Sequence, residues 1–102
     1  MKKIINGKMY NTETAKVLGT AYSSAAVNSF EYWEETLYKK KTGEYFLYGH
    51  GGAASQYARR VDANSWSDGD GFVPLTETQA MKWAETYFSV DDYCEIFGEP
   101  EE

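Results

Sequence analysis

A chain of 102 residues that is 42% hydrophobic and 17% aromatic has the length of one domain and too much apolar character for disorder. One cysteine excludes an internal disulfide, and a single histidine beside it excludes multi-histidine and zinc-knuckle metal centres. The net charge is −6, and residues 77–102 carry eight acids against one base, an asymmetry that usually serves solubility, reads more sharply as an acidic face for a basic partner, and makes that quarter a poor surface for free nucleic acid.

Lys2 to Ile5 and Lys8 to Tyr10 predict two short strands around Asn6-Gly7, the strongest two-residue hairpin signal. Asn11 or Thr12 then caps a predicted short helix over 13–18, with Ala15 and Leu18 facing the core and Gly19 ending it. Residues 20–29 are small and polar and read as a loop or a weak helical turn. The chain is organised around the stretch 35–52, where two aromatic and aliphatic runs flank Lys41-Thr42-Gly43. That pattern predicts a second hairpin, with Gly43 supplying the positive φ of a bulged turn. Phe30-Glu31-Tyr32-Trp33 leads into its first strand, and large residues on both parities leave that strand's register open. Tyr45-Phe46-Leu47-Tyr48 needs cover on both faces, so it reads as a central strand. Gly49-His50-Gly51-Gly52 should then break it.

Residues 53–60 read as a short helix, with Arg59 and Arg60 near its negative pole. Asp62 to Gly71 reads as a loop holding Trp66, which is either folded back onto the core, the commoner outcome, or exposed for a partner. Phe72 to Leu75 is a predicted strand, and Pro74 confines it to a sheet edge or a strand end. Thr76 and Gln79 form a capping box, with Leu75 positioned to staple against Ala80. Ala80, Trp83, Ala84, Tyr87 and Phe88 are the apolar stripe of a helix reaching about Phe88. Ser89 with Asp92 opens a last helix, whose Val90, Tyr93, Cys94 and Phe97 should be buried before Gly98 and Pro100 stop it. The expected fold is a single α+β domain over 1–102. Its antiparallel sheet should combine both hairpins with the strand at 72–75, and the C-terminal helices should cover one face.

Little in this chain suggests catalysis. His-Gly-Gly at 50–52 has no Gly-x-Ser-x-Gly partner, and Cys94 falls on the apolar stripe of a helix, where an inert thiol is the default. Asp68, Asp70, Gly71 and Glu77 match EF-hand spacing, yet Trp66 would occupy the first ligand position, so a polar turn accounts better for the segment. No metal and no cofactor are expected. Glycines before a helix usually serve packing, but they also present free amides to an anion. Gly49, His50, Gly51, Gly52, Ser55 and Arg59 are therefore the alternative, small-ligand site for a nucleotide or anion. Lys39-Lys40-Lys41 at the hairpin tip reads first as a solvated run that discourages edge pairing. No apolar run approaches the ~20 residues of a membrane span, and Ile4-Ile5 is cut by Asn6-Gly7 before a signal-peptide core forms. The expected location is the cytoplasm.

Three segments, residues 3–15, 37–52 and 74–85, together with the terminal Tyr93-Cys94-Glu95-Ile96-Phe97-Gly98, resemble small acidic proteins of phages and conjugative elements of Gram-positive bacteria. Such proteins include inhibitors of host defence, anti-CRISPR proteins among them. The resemblance implies a genomic setting and carries over no catalytic residue. With the placement of charge, it leads to an expected non-catalytic contact with a basic protein surface, such as the nucleic-acid groove of a CRISPR effector. Glu85, Asp91, Asp92 and Glu95 would make that contact, with Lys40, Lys41 and Trp66 secondary.

Overall fold

A computed structural model describes residues 1–101. It is α+β: eight strands come first, then the helices α1 (Glu77–Tyr87) and α2 (Val90–Phe97). The main sheet is antiparallel, in the order β3 (Lys16–Tyr22), β4 (Trp33–Lys39), β5 (Tyr45–Gly51), β8 (Gly69–Leu75). Two hairpins stand outside it as two-stranded sheets, β1 (Lys2–Ile5) with β2 (Lys8–Asn11) and β6 (Arg59–Asp62) with β7 (Ser65–Ser67).

β5 is central, as its unbroken apolar run requires, and Pro74 lies on the edge strand β8, where a missing amide donor costs little. Alternation sorts the side chains of β5. Tyr45 and Leu47 face the helices and join Leu37 and Ala80 in a core closed by Leu18, Leu75, Trp83, Phe88 and Phe97. Phe46 faces the other way and is fully buried, stacked on Tyr38 at 5.0 Å and met edge-on by Tyr10 of β2 at 5.4 Å. The N-terminal hairpin thus covers one end of the second face without joining the sheet. Its two-residue turn has positive φ at Asn6 and Gly7, as the dipeptide predicts. Lys8 bridges to Glu44 at 2.7 Å, and that hydrogen bond holds the Glu44 carboxyl below its usual range.

Several expectations are corrected. Residues 16–22 form an edge strand and not the end of a helix. Asn11 does cap a turn, accepting from the Glu13 amide at 2.9 Å, but the following Val17, Thr20 and Tyr22 suit a sheet. Gly19 serves a close approach: a Cβ there would lie 2.4 Å from the Phe88 ring. The sheet therefore recruits 16–22 where the N-terminal hairpin was expected. β5 runs on through Gly49 to Gly51. Residues 53–58 make only isolated turns, because the Ser55 hydroxyl donates to the Gly52 carbonyl and accepts from the Tyr57 amide in place of helical bonds. Arg59 and Arg60 then enter β6. The 62–71 segment is mostly strand, its β6–β7 turn closed by the Asn64 amide on the Asp62 carboxylate and by Arg60 on the carbonyls of Asp62 and Ala63.

The helices match the sequence more closely. Thr76 and Gln79 form the reciprocal capping box, and the Ser89 hydroxyl accepts from the Asp92 amide at 3.1 Å. Val90 departs from the stripe expected of α2 and is 78% exposed, while Tyr93, Cys94, Ile96 and Phe97 are half-buried. An eight-residue helix has room for one apolar stripe, and Phe97 on Tyr45 sets its direction.

Candidate functional site

Strand register decides what the Gly-rich segment builds. Across the sheet, Ala21, Glu35, Gly49 and Gly71 form one row on the helix-facing side. Three small residues in that row leave a trough, and the Tyr57 ring fills it, touching the position a Cβ of Gly49 would take. Its hydroxyl donates to Glu35 Oε2 at 2.5 Å, and Trp83 Nε1–H donates to Glu35 Oε1 at 2.9 Å. Glu35 is the buried charged residue of the core, with both oxygens occupied by donors. Burial, and then the bond to Glu35, pushes the Tyr57 hydroxyl well above the ordinary tyrosine range. A raised value keeps the phenol neutral in the fold while the unfolded chain ionises near pH 10. The stabilisation is complete below that pH and is lost as pH rises toward the folded value. Urea midpoints should therefore stay level to about pH 9 and fall above pH 10, more gently in Tyr57→Phe.

The next row, Tyr22, Glu34, His50 and Asp70, points to the face away from the helices. His50 Nε2 is 3.4 Å from Glu34 Oε2. The Tyr32 hydroxyl donates to Glu34 at 3.2 Å, and the Tyr48 hydroxyl donates to Asp70. Burial, followed by the bond to Asp70, pushes the Tyr48 hydroxyl up to about 12. Beyond this row, His50, Gly51 and Gly52 form one wall of a cleft of about 440 Å³, with Phe30, Trp66 and Asp68 among its other lining residues. Tyr48, Arg59 and Asp70 line an adjoining hollow that shares His50 and Asp68.

Of the alternative site, the structure brings His50, Gly51 and Gly52 into the cleft and Arg59 into the neighbouring hollow. Gly49 is buried under Tyr57, and Ser55 is spent on its own turn. The device expected to hold an anion is missing, because no helix follows. The amides of Gly52, Ala54 and Ser55 donate to the carbonyls of Tyr32, Phe30 and Gly52. Trp66 is not folded back onto the core: it is 56% exposed and lines the same cleft.

Glu85 is exposed on α1, and Asp91, Asp92 and Glu95 are exposed on α2. The three on α2 share one helix face, spaced at i, i+1 and i+4. Among the described residues none of the four forms an ion pair. Asp92 and Glu95 line a cleft with Lys16 and Lys39, the cross-strand pair at the start of β3. Lys41 is exposed. Lys40 is held in place, its Nζ 3.7 Å from the centre of the Tyr10 ring and 3.5 Å from Glu44. Cys94 is on α2 and His50 points to the opposite side of the sheet, so the fold does not join them as nucleophile and base. Among the described residues no group of three metal-ligating side chains converges, and no helix is long and apolar enough to cross a membrane.

Glu34, Glu35, Tyr32 and Tyr57 carry no local signal of a site, and Asp70 carries only that of a polar turn. Alternation in 45–51 already puts Tyr48 and His50 on one face; the partners on β4 and β8 needed the register.

No protein-family model matches the chain, and neither a curated protein nor a solved structure does.

Proposed function

We propose that the chain is a non-catalytic binding protein of a phage or conjugative element. In the cytoplasm of a bacterial host it would occupy a basic, nucleic-acid-binding surface of a defence complex, as anti-CRISPR inhibitors do. The observation that carries this reading is the exposure of Glu85, Asp91, Asp92 and Glu95 without an ion pair among the described residues. Carboxylates with no cation in contact keep their charge for a partner, and they steer association with a basic groove while repelling nucleic acid. The resemblance to mobile-element proteins supplies the class of target. Lys41 and Trp66 lie outside the acidic helices and are secondary contacts.

Competition on a CRISPR effector ribonucleoprotein tests this. In native gels the wild type and a His50→Ala/Cys94→Ala variant should displace target DNA, more weakly as salt rises. The variant carrying Glu85→Lys, Asp91→Lys, Asp92→Lys and Glu95→Lys should lose displacement. Wild type that leaves the DNA bound, or a charge-reversed variant that still competes, overturns the reading.

A further inference from the structure

Three of the chain's large apolar side chains are spent on one place. Val27 and Phe30 of the 27–32 loop are 79% and 74% exposed, and both line the His50 cleft with Trp66. Isolated exposed apolar residues need no explanation, but three converging on a concave surface beside a histidine do.

The charge around them has one dominant sign. Asp68 is on the cleft wall, Glu34 contacts the cleft's histidine, and Asp70 lines the adjoining hollow. Each carboxylate accepts from a neutral hydroxyl: Asp68 from Ser67, Glu34 from Tyr32, Asp70 from Tyr48. Among the described residues none is paired with a lysine or arginine. They are thus oriented without being neutralised. Arg59 is the cation of these walls, and it lies in the hollow. Aromatic faces carry negative electrostatic potential, so Phe30, Tyr32 and Trp66 add to the same field.

From this we infer that the cleft receives the guanidinium or ammonium head of a basic side chain on a polypeptide partner. The cation stacks on the exposed faces of Phe30 and Trp66 and faces Asp68 on the cleft wall, with Glu34 adding negative charge through its contact with the lining His50. A phosphate-bearing ligand meets repulsion at the same spot, and the amides of Gly52, Ala54 and Ser55 are already engaged. The inference goes beyond the acidic helices, since the Glu34–His50–Asp70 row points to the face opposite them.

The test is an NMR titration of the intact chain with acetyl-Gly-Arg-Gly-amide. The same peptide carrying neutral citrulline, AMP and maltose serve as comparators. Saturable shifts are expected at the Trp66 indole and at Phe30, Tyr32 and His50. Trp66→Ala, which leaves the core untouched, should weaken binding by about tenfold, the size of a cation–π contact, and Glu34→Gln should weaken it by removing a negative charge beside the cleft. The variant reversed at Glu85, Asp91, Asp92 and Glu95 should bind the peptide as wild type does, which separates this site from the helical surface. An equal response to the citrulline peptide, a stronger one to AMP or maltose, or no saturable shift with arginine overturns the inference.

Discussion

Replacing Gly49 by valine is expected to lower stability by about 3 kcal/mol or to unfold the chain, because overpacking a filled site costs that much and domains hold only about 5–15 kcal/mol. A Cβ at Gly49 would lie 2.2 Å from the Tyr57 ring, and Tyr57 is held at both its hydroxyl and its backbone. Its hydroxyl is fixed on Glu35, while the Tyr57 carbonyl lies against Gly69, where a Cβ would be only 2.2 Å away. The side chain cannot yield without giving up its bond. Urea denaturation of Gly49→Ala in the wild-type and Tyr57→Ala backgrounds isolates the contact. The alanine should be costly in the first and nearly neutral in the second, since an empty trough has room for a methyl group. Equal costs in both would show that the trough does not constrain residue 49.

Glu35→Ala should cost about 3 kcal/mol, because it strands two buried or half-buried donors at about 1–3 kcal/mol each. The donors are the Tyr57 hydroxyl and the Trp83 indole N–H, which arrive from a loop and from α1. Glu35 therefore ties the helix layer and the 53–58 turns to the middle of the sheet. Glu35→Gln should cost less than about 1 kcal/mol, since its carbonyl accepts from Trp83 while its amide donates to the tyrosine oxygen. Urea midpoints together with Trp83 fluorescence distinguish the two variants. If glutamine proved as damaging as alanine, the charge itself, and not the pair of bonds, would be what the core requires.

Other choices were legible because they are local. Asn6-Gly7, Lys41-Thr42-Gly43, the Thr76–Gln79 box and the Ser89 cap work within four or five residues, and each is realised where the sequence puts it. The central position of β5 was also legible, because four large residues in succession leave no face for water. Residues 16–22 and 49–62 were not legible. Their glycines and serines signal turns when taken alone, yet Gly19 and Gly49 are strand residues because distant rings, Phe88 and Tyr57, lie where side chains would project.

The candidate sites divide in the same way. Composition alone marked the acidic helices, and capping plus periodicity placed Asp91, Asp92 and Glu95 outward on one of them. The cleft depended on pairing. Glu34, His50 and Asp70 are sixteen and twenty residues apart in sequence and become neighbours only through the registers of β4, β5 and β8. By itself the sequence determined the turns, the caps, the central strand and the location of negative charge, all of which depend on residues close together along the chain. Tertiary structure alone decided which glycines lie under rings, which carboxylate is buried and which aromatics meet at His50, because each of these depends on partners that the chain brings together only by folding.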